Sequence, residues 1–131
     1  MNNLIQDLQN PEFLPDKTTQ VKVIQTHISI VFVADTFVYK VKKPVDFGFL
    51  DFSTLEKREY YCHREVILNK RLAGDLYLGV LPITLNKGHY RLGEGQGEPV
   101  EYAVKMRRIP EERLMKNLFF QGRLTEEDLS R

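Results

Sequence analysis

Phe37-Val38-Tyr39-Lys40-Val41-Lys42-Lys43-Pro44 is the stretch on which the reading of this chain turns. β-Favouring residues surround a lysine, and a proline closes the run. Read as a strand, it alternates faces with period two: Val38 and Lys40 share one face, while Phe37, Tyr39 and Val41 share the other. A lysine in mid-strand is costly to bury unless an anion meets it. Two anions suit the position: a helix carboxylate such as Glu65, or a phosphate from a bound ligand. The plainer alternative is an edge-strand lysine whose stem covers apolar surface while its head reaches water.

Working outward, residues 21–25 and 28–34 read as two further strands, and Asp35-Thr36 as a tight turn into the lysine strand. Such short links predict an antiparallel meander. Ahead of it, residues 2–9 read as a short helix with Leu4, Ile5 and Leu8 on one side, followed by irregular chain at Pro11 and Pro15. Behind it, residues 44–52 form a loop. Ser53-Thr54-Leu55-Glu56 then fits a capping box with Ser53 as N-cap. The helix it opens is expected to reach about Leu72, with Leu55, Tyr61 or Cys62, Val66, Leu68 or Asn69, and Leu72 facing inward, and Gly74 closing it.

Residues 78–85 and 90–92 read as strands joined at Asn86-Lys87-Gly88, and 100–106 as another. Gly93-Glu94-Gly95-Gln96-Gly97 opens no helix, so a flexible hairpin tip explains it better than a phosphate-cradling loop. A helix is expected over 111–120 and the start of one more at 125–129. The fold class is therefore α+β: an antiparallel sheet of about five strands with one long packed helix and terminal helices.

The 131 residues, 42% of them hydrophobic, suit one domain with a modest core. A formal net charge of +1 gives no reason to expect a nucleic-acid partner. One cysteine, Cys62, excludes an internal disulfide and a cysteine-based zinc site; in a helical pattern it is expected to be buried packing. No apolar run approaches the roughly 20 residues of a membrane span, and the first residues do not resemble a signal peptide. A cytoplasmic location is the expectation.

The order strand, strand, strand, long helix, strand, strand is the layout of the small nucleotide-binding lobe of a protein-kinase-like fold. The runs 26–29 and 38–44, then Phe49-Leu50-Asp51-Phe52-Ser53-Thr54-Leu55-Glu56, resemble the aminoglycoside phosphotransferase-like kinases. The segments 68–80 and 98–108 are similar, more closely, to a bacterial group in which such a kinase-like domain precedes a P-loop ATPase domain. On this resemblance, 1–20 is a lead-in, 21–109 the small lobe, and 110–131 a connector helix and the start of a C-terminal lobe.

The resemblance implies roles. Lys40 matches the strand lysine that contacts the nucleotide phosphates, with Lys42 the runner-up on the same face and Lys43 facing away. Glu65 matches the helix glutamate that pairs with it; Glu59 and Glu56 are weaker candidates. Met106 matches the residue at the back of the adenine pocket. Arg107 and Arg108, with Ile109, match the hinge whose backbone bonds the adenine edge. Val38 and Ile30 would pack the base, or simply fill the core. The turn at 26–29 lacks the glycines of a protein-kinase phosphate loop, so Ser29 or His27 would serve there; a turn histidine without a ligand is the other reading of His27.

The same resemblance puts the catalytic aspartate, the asparagine and the magnesium-binding aspartate in a large C-terminal lobe. No His-x-Asp loop occurs here, since His27, His63 and His89 are followed two positions on by Ser29, Glu65 and Arg91. Without a base and metal ligands, phosphoryl transfer lacks its positioning and charge-neutralising parts. No residue of this chain is therefore expected to be catalytic or to bind metal. ATP is the expected ligand, and Mg2+ only together with the C-terminal lobe. The partners expected are that lobe or a P-loop ATPase domain, and self-association through apolar residues exposed around Leu114, Leu118, Phe119 and Phe120. The competing hypothesis is a non-catalytic module that docks a partner through its sheet and exposed apolar helix.

Overall fold

The computed structural model describes residues 2–48, 51–93, 97–116 and 118. The chain forms six strands: β1 (Lys22–Gln25), β2 (Ser29–Val33), β3 (Phe37–Lys42), β4 (Tyr77–Asn86), β5 (His89–Leu92) and β6 (Pro99–Arg107). They form one sheet in the order β1-β2-β3-β6-β4-β5, and every pairing is antiparallel. Helix α1 (Asn2–Leu8) precedes the sheet, and the long helix α2 (Leu55–Ala73) connects β3 to β4. The fold is α+β, with an antiparallel sheet of six strands, where about five were expected, and one long helix.

Period-two alternation gives the sheet two apolar faces. Ile30, Phe32, Tyr39, Val41, Ile83 and Ala103 meet Leu4 and Leu8 of α1 on one face. Val31, Val33, Val38, Tyr77, Val104 and Met106 cluster with Cys62 and Val66 of α2 on the other. Both faces being covered, β2 is buried at every residue, which is why its sequence is a continuous apolar run. The β4–β5 turn has Lys87 and Gly88 at φ 52° and 81° between the paired Asn86 and His89. Two left-handed residues in succession match the strand twist of a two-residue hairpin.

The N-terminus of α2 departs from the sequence expectation by one residue. Thr54, not Ser53, is the N-cap, its hydroxyl accepting the Lys57 N–H at 3.2 Å. The Ser53 N–H instead donates to the Asp51 side chain at 2.9 Å, a local turn that holds Ser53 in the loop. Thr54→Ala should therefore cost about 1 kcal/mol and Ser53→Ala much less, as read by urea denaturation.

The inward face of α2 also differs. Cys62 and Val66 are buried as expected, but Leu72 is 85% exposed, Leu68 is exposed with Asn69 the half-buried one of that alternative, and Arg58 is buried with the stripe. Charged partners on the sheet select which stripe turns inward, and two leucines are left outside.

The link after β5 is not a hairpin tip. β6 pairs with β3 and β4 rather than with β5, so the link carries the chain past β4. Gly93 begins it at φ +102°, close enough to Pro15 that a Cβ there would lie 2.8 Å from the proline Cβ. Glycine alone meets both conditions.

A helical segment at 111–116 follows β6. Leu114 and Leu118 are buried in the α2-side core, not exposed. The expected exposure fails at these two positions because the helical segment folds back onto its own sheet. Phe49, Leu50, residues 94–96, Phe119, Phe120 and the helix start expected at 125–129 lie outside the described residues.

Candidate functional site

Strand alternation points Lys40 and Lys42 toward α2, and Glu65 meets them both. Lys40 Nζ donates to Glu65 Oε2 at 2.9 Å, and Lys42 Nζ donates to Oε1 at 2.8 Å. The three side chains are 4%, 12% and 13% exposed. Both oxygens of one carboxylate are thus occupied by ammonium groups from a single strand. One turn further along α2, the Asn69 amide donates to the Glu65 carbonyl at 2.8 Å. Lys42, the weaker candidate in the sequence, is a full member of the cluster.

Burial pushes Glu65 upward, but Lys40 and Lys42 outweigh it and bring its carboxyl down to about 2. Burial pulls Lys40 down, and the charge of Glu65 more than restores it, so its pKa stands above the ordinary value. Aromatic rings close the cluster: Tyr77 with its centroid 5.7 Å from Lys40 Nζ, and Phe52 at 5.0 Å from Lys42 Nζ. The Tyr77 hydroxyl is buried and makes no hydrogen bond among the described residues. Burial raises its pKa against the opposing charge of Lys40, keeping it a neutral phenol. Cys62 lies nearby, and burial pushes its thiol up to about 12, so it is packing, as its helical position led one to expect.

A second buried pair holds α2 nearer its start. Arg58 Nε donates to both Glu101 oxygens at 3.0 and 3.1 Å, and its Nη1 donates to the Phe52 carbonyl at 2.8 Å. The sequence reading missed this pair and Tyr77. An arginine on the packing stripe of a helix and a glutamate inside an apolar strand were the signals available, since neither is buried unpaired.

The other expected residues are distributed as follows. Ser29 lies directly across from Lys42 in the β2–β3 register, but its hydroxyl is engaged by Thr26 Oγ1 at 2.9 Å. Thr26 Oγ1 also accepts the Ile28 and Ser29 N–H groups at 3.3 and 3.0 Å, so the turn satisfies its own amides. Val38 is across from Met106, and both are fully buried. Arg107 is still in the sheet, paired with Phe37, and its exposed side chain lies 3.7 Å from Asp75. The Arg108 N–H donates to the Thr36 carbonyl at 2.9 Å and its Nη1 to the Ala34 carbonyl at 3.2 Å. The structure therefore brings Lys40, Lys42, Glu65 and Ser29 together at one end of β3, with Val38 and Met106 further along the same face. Among the described residues no group of three acidic, histidine or cysteine side chains converges to hold a metal. No helix among them is long and apolar enough to cross a membrane.

Comparison with curated proteins finds uncharacterized proteins of Mycobacterium tuberculosis and Mycobacterium bovis, each 37% identical over 102 residues. The alignment covers 78% of this chain and 19% of each relative, so the chain spans about a fifth of the length of the curated relatives it matches. No protein-family model matches the chain, and no solved structure matches it.

Proposed function

We propose that this chain is the ATP-binding small lobe of an aminoglycoside phosphotransferase-like kinase, with Lys40 and Lys42 holding the nucleotide phosphates. The observation that carries this reading is the buried Lys40–Glu65 pair, joining the third strand to the helix that follows it. Protein kinases place their phosphate-binding lysine on the third strand and fix it with a glutamate from the next helix. A carboxylate shared by two ammonium groups leaves Lys42 only partly neutralised, which suits it to meet a phosphate oxygen as a second cation. Val38 and Met106 would pack the base, and the backbone at Arg107 to Ile109 would bond its edge.

The complete enzyme would pass the γ-phosphate of ATP to a small-molecule hydroxyl. The base and the Mg2+ ligands would come from a C-terminal lobe, in a longer protein that also carries a P-loop ATPase domain; the greater length of the mycobacterial relatives fits a part played within a larger protein. Such a role places the protein in the cytoplasm. A docking module built on an exposed helix at 114–120 is less well supported, because Leu114 and Leu118 are inside.

Titration calorimetry with ATP tests the reading. Lys40→Met should weaken binding about 10- to 100-fold, the worth of one charge-assisted hydrogen bond. Lys43→Met, outside the cluster, should leave it unchanged. Equal affinity in wild type and Lys40→Met, with both folded by circular dichroism, would sink the phosphate role.

A further inference from the structure

The surface expected to receive the base is already occupied by the chain itself. Leu114 is fully buried and Leu118 nearly so, and both pack in the cluster formed by Val31, Val33, Val38, Val104 and Met106. The segment that carries them begins directly after Arg107 to Ile109, where the edge of a base would be held.

We propose that residues 111–116, with Leu118, are an intramolecular competitor for the base of the nucleotide: the phosphate end can dock at the lysines while the segment is in place, but the base cannot. This rests on the nucleotide reading above. The attachment of the segment suits a displaceable element. Of residues 111–116, only Leu114 is buried, and the other five are exposed. The Lys22–Glu111 ion pair, which ties the segment to β1, lies at the surface, with side chains 62% and 49% exposed; such pairs contribute little. Among the described residues, two leucines therefore supply most of the hold. A ligand that needs their place binds with its intrinsic affinity divided by the fraction of molecules in which the segment has moved away. Base-bearing ligands meet that penalty, and a bare polyphosphate does not.

The experiment compares ATP with inorganic tripolyphosphate, which has no base, on the full chain and on Leu114→Ser. The ratio of ATP to tripolyphosphate affinity should rise by about tenfold or more in Leu114→Ser, the equilibrium equivalent of one buried leucine. A merely structural role for Leu114 would lower both affinities together. An unchanged or lower ratio in a cooperatively melting Leu114→Ser overturns the proposal. Should that variant fail to fold, Leu114→Ala trims the same anchor and keeps helix propensity; there the ratio should still rise several-fold, and a constant ratio is again fatal. The lysine site is judged separately, by tripolyphosphate binding to wild type and its loss in Lys40→Met. No tripolyphosphate binding in any folded variant overturns that site and the competitor with it.

Discussion

Glu65→Gln should cost the fold roughly 3–5 kcal/mol at pH 7, the typical loss when one partner of a buried ion pair is removed. Glutamine keeps the shape but leaves two ammonium groups, 4% and 12% exposed, around a neutral amide. Lys40→Met and Lys42→Met should each cost less, because either variant leaves the carboxylate one of these two lysines. The pH dependence has a definite sign. Glu65 is lowered from 4.5 to about 2 by its two lysines against the opposing effect of burial. Its contribution is therefore present above pH 4.5 and is lost as pH falls from 4.5 toward 2. Urea denaturation across that range should show wild type and Glu65→Gln converging at the acid end. A constant gap between them would mean that the carboxylate is not the stabilising group.

Arg58→Met is the second large effect, again about 3–5 kcal/mol, because Glu101 would be left buried without its cation. A rescue test separates this cause from lost packing. Arg58→Met combined with Glu101→Leu should recover most of the loss, since an apolar pair of similar volume replaces a buried ion pair at little cost. The recovery should fall short of wild type, because the Phe52 carbonyl also loses its donor. Burial already raises the pKa of Glu101 despite Arg58, and removing the arginine raises it further. A raised carboxylate contributes stability below pH 4.5 and loses it as pH climbs through the folded value. The deficit of Arg58→Met relative to wild type should therefore shrink as pH is lowered, whereas that of Glu65→Gln also shrinks but through loss in the wild type. An Arg58→Met deficit independent of pH would assign the loss to packing.

These two pairs explain why α2 is turned as it is. Arg58 and Glu65 are seven residues apart, two helical turns, and so lie on one stripe. Each finds its counter-charge on the sheet, Glu101 on β6 for one and Lys40 and Lys42 on β3 for the other. Turning Leu68 and Leu72 inward would carry Arg58 and Glu65 away and strand Glu101, Lys40 and Lys42 on the sheet without counter-charges, which costs more than two leucines left in water. A helix chosen by its leucines alone would have faced the wrong way.

The sequence by itself determined what depends on neighbours along the chain. The period-two run at 37–42 set the two faces of β3, short links set the meander, and Gly74, at φ +61°, closes the long helix. A mid-strand lysine that needs an anion called for a helix carboxylate, and the resemblance to a kinase family singled out Glu65 over Glu59 and Glu56. Only the tertiary structure decided the rest. The crossing of α2 over the sheet made Lys42 an equal partner of Glu65 and put Tyr77 beside Lys40. The same packing paired Arg58 with Glu101. The order of strands, with β6 between β3 and β4, turned an apparent hairpin into a crossing past β4. The fold-back after β6 buried Leu114 and Leu118, which read as exposed. The physical reason is common to all of these: periodicity fixes which way a side chain points, whereas the charge or apolar surface it meets is set by elements that pack from elsewhere in the chain.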